Sequence, residues 1–179
     1  MKKTTCGLVL LTLLSGAAMA ASDTAIVLIG GVADDANALH VGIQKSFDPT
    51  WGFLNSPKIN ITTQFSIGGW RGTGDYQKKE NLVDFAILPT VRYFPSGKDT
   101  GSFFVEGGLG VHLLSRTQIN ENRRFSTAFQ FGDVVGLGWK FGAQRNNELG
   151  LRFQHISNSS IKRPNSGINF AELRWAISF

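Results

Sequence analysis

Apolar residues recur at every second position along nearly the whole chain, and they fall mostly on odd numbers. Side chains of an extended strand point alternately to its two faces, so a period of two marks strands with one greasy face. A short run from Ile26 to Ile29 comes first, and after Asp34 and Asp35 the row resumes with Leu39, Val41, Ile43 and Phe47. Ile59, Ile61, Phe65 and Ile67 follow, then Phe85, Ile87, Val91 and Tyr93, then Phe103, Val105, Leu109, Val111 and Leu113. A sixth segment carries Phe125, Phe129, Phe131, Val135, Leu137, Trp139 and Phe141. Leu149, Leu151 and Phe153 mark a seventh, and Leu173, Trp175, Ile177 and Phe179 close the chain. The pattern predicts eight strands.

The even positions have a different character, with Gln44, Thr62, Gln64, Asp84, Arg92, Glu106, Gln130, Arg152, Glu172 and Arg174 set among glycines. In a soluble sandwich or lipocalin-like barrel the apolar face points inward and the charges meet water. Here the apolar rows are long and aromatic, while the polar face mixes acids and bases with small residues. That suits the narrow interior of an eight-stranded antiparallel transmembrane β-barrel, whose outside must be apolar because lipid cannot satisfy polar groups. Most segments reach the about 9–11 residues that a spanning strand needs. The expected class is therefore all-β, a barrel of the bacterial outer membrane.

The first residues refine the picture. Met1, Lys2 and Lys3, a short apolar run over 7–15 and Ala18-Met19-Ala20 form a secretory signal peptide, with cleavage expected after Ala20 and one barrel domain over 21–179. Cys6, the single cysteine, leaves with the leader, which excludes disulfides and thiolate metal sites from the mature chain. No cluster of histidines and carboxylates suggests a metal, and no cofactor is expected. Lys+Arg 18 against Asp+Glu 13 gives a net charge of +5, which falls to +3 without Lys2 and Lys3. No basic run is interleaved with aromatics, so nucleic acid is not an expected partner.

Loop lengths orient the barrel. The turns at 96–99 and 144–147 are short, whereas 71–79, 116–123 and 158–167 are longer, and short turns belong on the periplasmic side. The turn at 48–58 is a long exception there, with Trp51 and Phe53 as interfacial anchors. The seventh strand then runs outward. On it Leu149, Leu151, Phe153, His155 and Ser157 share one face, so an imidazole and a hydroxyl continue an apolar row. Either alone is ordinarily structural. Together, near the outer leaflet, they set a candidate base beside a candidate nucleophile.

The segment from Phe153 to Asn169, reading FQHISNSSIKRPNSGIN, resembles the motif of the outer-membrane lipid A 3-O-deacylases, the PagL family. A weaker likeness extends over the mature chain, including Phe131-Gly132-Asp133 and the number and order of strands. The resemblance implies a serine-hydrolase site on the lipid-facing surface, acting on lipid A (lipopolysaccharide) embedded in the same membrane. Ser157 would be the nucleophile and His155 its base. The family usually has Glu where this chain has Asn169, which lies on the outward parity of Ala171 and Leu173 and can accept the imidazole N–H without supplying charge. Asp133, an acid in the outward row of the sixth strand, is the alternative partner, expected within a residue or two of Ser157. Glu172 is set aside because its even parity turns it into the lumen beside Arg174, where a structural ion pair between the two is expected.

For the oxyanion, the resemblance points to Asn165 and to the backbone around Asn158 to Ser160. Ser159 and Ser160 stand where the family often has Ala-Gly, so a stiffer loop is expected. Lys162 and Arg163 are candidates to meet substrate phosphates. The C-terminal row ending on Phe179 resembles the terminal strand that outer-membrane assembly machinery reads, and a homodimer is left open. Two rival functions share this fold: a non-enzymatic structural or adhesive barrel, and a lipid A acyltransferase.

Overall fold

The computed structural model describes residues 23–179, so the signal-peptide expectation lies outside the described residues. Eight strands run in sequence: β1 (Thr24–Val32), β2 (Ala36–Phe47), β3 (Ile59–Gly72), β4 (Asn81–Tyr93), β5 (Phe103–Leu114), β6 (Phe129–Phe141), β7 (Asn147–Ser157) and β8 (Ile168–Ser178). Each pairs antiparallel with its neighbours, and β8 pairs with β1 to close the barrel. Closure leaves no strand edge unpaired, as a sheet surrounded by hydrocarbon requires. The only helical element among the described residues is a single 3-10 turn, Gly52–Leu54, in the long loop between β2 and β3.

The apolar rows face outward. Leu39, Val135 and Leu109 are 60%, 63% and 74% exposed, whereas Gln44, Arg92, Gln130 and Arg174 are buried inside. Such a surface would be a large apolar patch in water and is the required one in lipid. Inside, Arg92 Nε donates to Glu106 Oε2 at 2.8 Å and its Nη1 to Glu148 Oε2 at 3.0 Å. Arg174 reaches Glu148 Oε2 at 3.0 Å, and Arg152 bonds Glu106. Three guanidinium groups thus share two carboxylates, with Gln44 and Gln64 accepting further bonds. Higher up, His40 and His112 both bond Asp84 Oδ2, at 3.1 and 2.8 Å.

Glycines make this filling fit. A Cβ at Gly138 would lie 2.3 Å from Phe104 Cζ, and one at Gly68 would lie 2.1 Å from His40 Cδ2. The Gly-rich runs are therefore packing devices. At the outer end Trp70, Leu82, Leu114, Ile119, Phe125, Ile156, Ile168 and Phe170 form an apolar plug with Ala36 and Ala38. Trp70 packs edge-on against Phe170 and Phe125, with ring centroids 5.0 and 6.0 Å apart. Among the described residues this plug fills the outer end of the lumen.

Three expectations need correction. Strand β1 has the opposite parity to the rest, with Val27 and Ile29 buried and Ile26 and Leu28 outside. In a run apolar on both faces, parity is set by the pairing Val32↔Asn37 across the turn and not by residue type. Phe125 is not on the outward row of β6 but fully buried in the plug, because loop 115–128 folds back over the barrel mouth. Glu172 does face the lumen, yet Arg174 pairs with Glu148 instead, which lies nearer the periplasmic end.

Candidate active site

Alternation along β7 turns His155 and Ser157 to the outer face while Gln154 and Ile156 point in. Ile156 is 1% exposed within the plug, and Ile168 and Phe170, on either side of Asn169, are anchored there too. The outward groups are thus held by inward neighbours that cannot move without opening the plug. Cross-strand register does the rest. On β8 Asn169 pairs with His155, on β6 Asp133 pairs with His155, and Phe131 pairs with Ser157. The imidazole therefore sits between an amide on one side and a carboxylate on the other.

The amide makes the bond. His155 Nδ1 and Asn169 Oδ1 are 2.6 Å apart. An amide oxygen is an acceptor only, so Nδ1 carries the proton and Nε2 is left with its lone pair, the tautomer a general base needs. Asp133 is exposed, and among the described residues no hydrogen bond reaches its carboxylate. His155 and Ser157 are each half-buried and, two residues apart on one strand, have Cα atoms about 6.7 Å apart. No hydrogen bond joins them among the described residues, in keeping with catalytic bonds that tighten only when substrate is present.

Loop 158–167 covers the outer end of this face. Asn158 is fully buried, and its Nδ2 donates to Phe125 O at 2.7 Å and Lys162 O at 2.8 Å. Its backbone N–H donates to Asn165 Oδ1 at 3.1 Å. Every donor of Asn158 is thereby occupied, so the oxyanion expectation for it is replaced by a structural one: it ties the loop to the plug. Asn165 spends its oxygen on that bond, which turns the other half of the amide, its Nδ2, away from Asn158. Ser159 and Ser160 have φ of 50° and 63°, so the bend is made in the left-handed region despite their side chains. That costs about 1–2 kcal/mol per residue, and neighbouring contacts must supply it.

Those contacts come from loop 115–128, which sequence reasoning treated only as an external connection. Ser126 Oγ donates to Pro164 O at 2.6 Å, and Ser166 N donates to Arg124 O at 3.1 Å. Arg123 bonds the carbonyl of Gly167 and, through Nε, Asp35 Oδ2 at 3.0 Å. The signal for these partners lies in long-range contacts, and nothing in their local pattern announces them. Lys162 and Arg163 are exposed at the outer rim, and no acid lies in their loop.

Fold and site together define a small integral membrane β-barrel that displays hydrolase-type groups on its lipid-facing wall. Residues 37–178 match the family described as lipid A 3-O-deacylase (PagL). A lipid A deacylase PagL from Bordetella bronchiseptica is 29% identical over 133 residues, 74% of this chain and 67% of that protein. Another from Pseudomonas aeruginosa is 27% identical over 172 residues, 95% of each chain. A crystal structure of the outer membrane enzyme PagL has a TM-score of 0.62 at 22% identity, covering 87% of this chain and 99% of that one, and so shares the fold. The chain belongs to the lipid A 3-O-deacylase (PagL) family.

Proposed function

We infer that this chain is an outer-membrane ester hydrolase that removes the 3-hydroxyacyl chain from position 3 of lipid A, with Ser157 as nucleophile and His155 as base. The observation that carries the residue assignment is the pair of outward-facing groups on β7, with His155 Nδ1 bonded at 2.6 Å to Asn169. Membership of the family supports the substrate.

Nε2 takes the proton of the Ser157 hydroxyl as the oxygen attacks the ester carbonyl carbon. The carbonyl π-electrons move onto oxygen, where the Asn165 amide and the backbone N–H of Ser160 are the candidate donors, each worth about 3 kcal/mol. Collapse expels the sugar oxygen, which takes the proton back from the imidazolium and leaves an acyl-serine. Water entering from the headgroup side loses a proton to Nε2 and attacks this ester, releasing the 3-hydroxy fatty acid and restoring Ser157. Asn169 orients the ring throughout but contributes no charge to the imidazolium. Asp133, opposite His155 on the other side, is the alternative source of that charge.

The site geometry fits a substrate that stays in the membrane. Phe153, Leu151 and Leu149 continue the face of His155 toward the periplasm, giving an acyl chain an apolar wall to lie along. Lys162 and Arg163 stand at the opposite, water-facing end, where the sugar phosphates of lipid A would meet them. The last strand, β8, with Leu173 and Trp175 on its outward face, is the feature that outer-membrane assembly machinery would recognise.

Mass spectrometry of lipid A from cells with and without the protein tests the reading. Loss of one hydroxyacyl mass, abolished by Ser157→Ala, is expected. No change would favour a structural barrel, and gain of a chain would favour an acyltransferase.

A further inference from the structure

Gly167 ends loop 158–167 just before β8, directly beside both reactive groups. A Cβ built on it would lie 3.1 Å from His155 Cε1 and 3.5 Å from Ser157 Cβ. Carbon atoms pack best at about 3.5–4.0 Å, so the first contact is too tight unless the ring moves. A shift of the ring would disturb its Nδ1 bond to Asn169, which is 2.6 Å long. Cε1 is the carbon between the two ring nitrogens, so a methyl pressed against it disturbs the bond at Nδ1 and the lone pair at Nε2 together.

Backbone conformation does not by itself account for glycine here. Gly167 has φ 57°, but Ser159 and Ser160 hold φ of 50° and 63° in the same loop with their side chains in place. Space is the distinguishing demand. The glycine is also held from outside the site. Arg123 Nη1 donates to the carbonyls of Gly167 and, at 3.4 Å, Ser166, while its Nε donates to Asp35 Oδ2 at 3.0 Å. Asn120 Nδ2 donates to the same carboxylate oxygen at 3.0 Å. Asp35 belongs to the turn between β1 and β2, and β1 is paired with β8 in the closed barrel, so a charge-assisted chain runs from that turn through loop 115–128 to the backbone beside the site.

We propose that Gly167 is a positioning residue whose missing side chain keeps clear the space in which the Ser157 hydroxyl meets the His155 ring, and that the Asp35–Arg123 pair fixes the size of that space by holding the glycine carbonyl. This rests on the assignment of Ser157 and His155 above. A misplacement of about 1 Å at reacting groups can cost about 100-fold in rate, so small shifts at Gly167 should be visible in turnover.

The test measures kcat and KM for fatty-acid release from lipid A by the purified barrel, with its folded state read from heat-modifiable gel migration. Gly167→Ala should lower kcat by about 10- to 100-fold with KM and folded migration retained. Gly52→Ala controls for backbone strain, since Gly52 has φ 55° with nothing within 4 Å of an added Cβ, and it should keep wild-type kcat. Arg123→Lys keeps a cation beside Asp35 but has no second fixed donor for the Gly167 carbonyl, and should also lower kcat while sparing KM. Wild-type kcat in Gly167→Ala, or loss of folded migration in that variant, would overturn the proposal. Ser157→Ala run in parallel separates the two readings: turnover persisting there defeats the nucleophile assignment, whatever Gly167→Ala does.

Discussion

Replacing Asn169 by glutamate asks what the orienting residue lacks. Asn169 already accepts the proton of His155 Nδ1 at 2.6 Å, so the tautomer is correct before any substitution. The about 10,000-fold penalty known for an acid-to-amide change in a serine triad includes a wrong tautomer, which does not apply here. The missing contribution is charge. A hydrogen bond to a charged group is worth about 1.5–3 kcal/mol net against about 0.5–1.5 for a neutral one, a difference of about 1.25 kcal/mol between the midpoints, or close to tenfold in rate. His155 is half-buried and Asn169 exposed, so solvent screening keeps the gain from being larger. Asn169→Glu should therefore raise kcat about tenfold with KM little changed, measured as 3-hydroxy fatty acid released from lipid A in detergent. A kcat that stays level or falls in a folded barrel would refute the weak-orienter reasoning. Asp133→Asn completes the experiment: full activity dismisses Asp133 as the acid, whereas a comparable loss would mean that the charge already comes from β6.

Other expectations follow from the same contacts. Ser157→Ala and His155→Ala should each lower turnover by at least about 1,000-fold, with folded migration unchanged; retention of activity by either would displace it from the mechanism. Glu148→Ala leaves Arg92 and Arg174 inside the barrel without their shared carboxylate, and breaking a buried network in this way costs about 3–5 kcal/mol. Urea titration of gel mobility should show that loss, and a change below about 1 kcal/mol would mean that water or Glu106 compensates. Lys162→Ala with Arg163→Ala should raise KM in a salt-sensitive way, at about 1 kcal/mol per cation near an anionic surface, and leave kcat alone; equal KM at low salt would remove them from substrate binding.

Much of the architecture was legible because alternation is a local property. Each strand from β2 to β8 shows its lipid face through odd-numbered apolar residues, and the contrast between aromatic rows and paired charges indicates which face meets hydrocarbon. His155 and Ser157 were visible for the same reason, as polar interruptions of one such row. Where both faces are apolar, as at Ile26–Ile29, alternation is silent and the pairing with β2 decides. Phe125 looked like another strand residue until loop 115–128 carried it into the plug.

The chain by itself determined the number of strands, the sign of their faces and the presence of a base and a nucleophile two residues apart. Tertiary structure alone decided that His155 lies between Asn169 and Asp133, that Asn158 is spent on Phe125 and Lys162, and that Arg123 of loop 115–128 reaches the carbonyl of Gly167. The physical reason is one of range. Periodicity records what each residue faces, whereas register and loop docking depend on partners 14 to 44 residues away, as for His155 with Asn169 and Arg123 with Gly167. Those partners are selected only when the closed sheet and its plug form together.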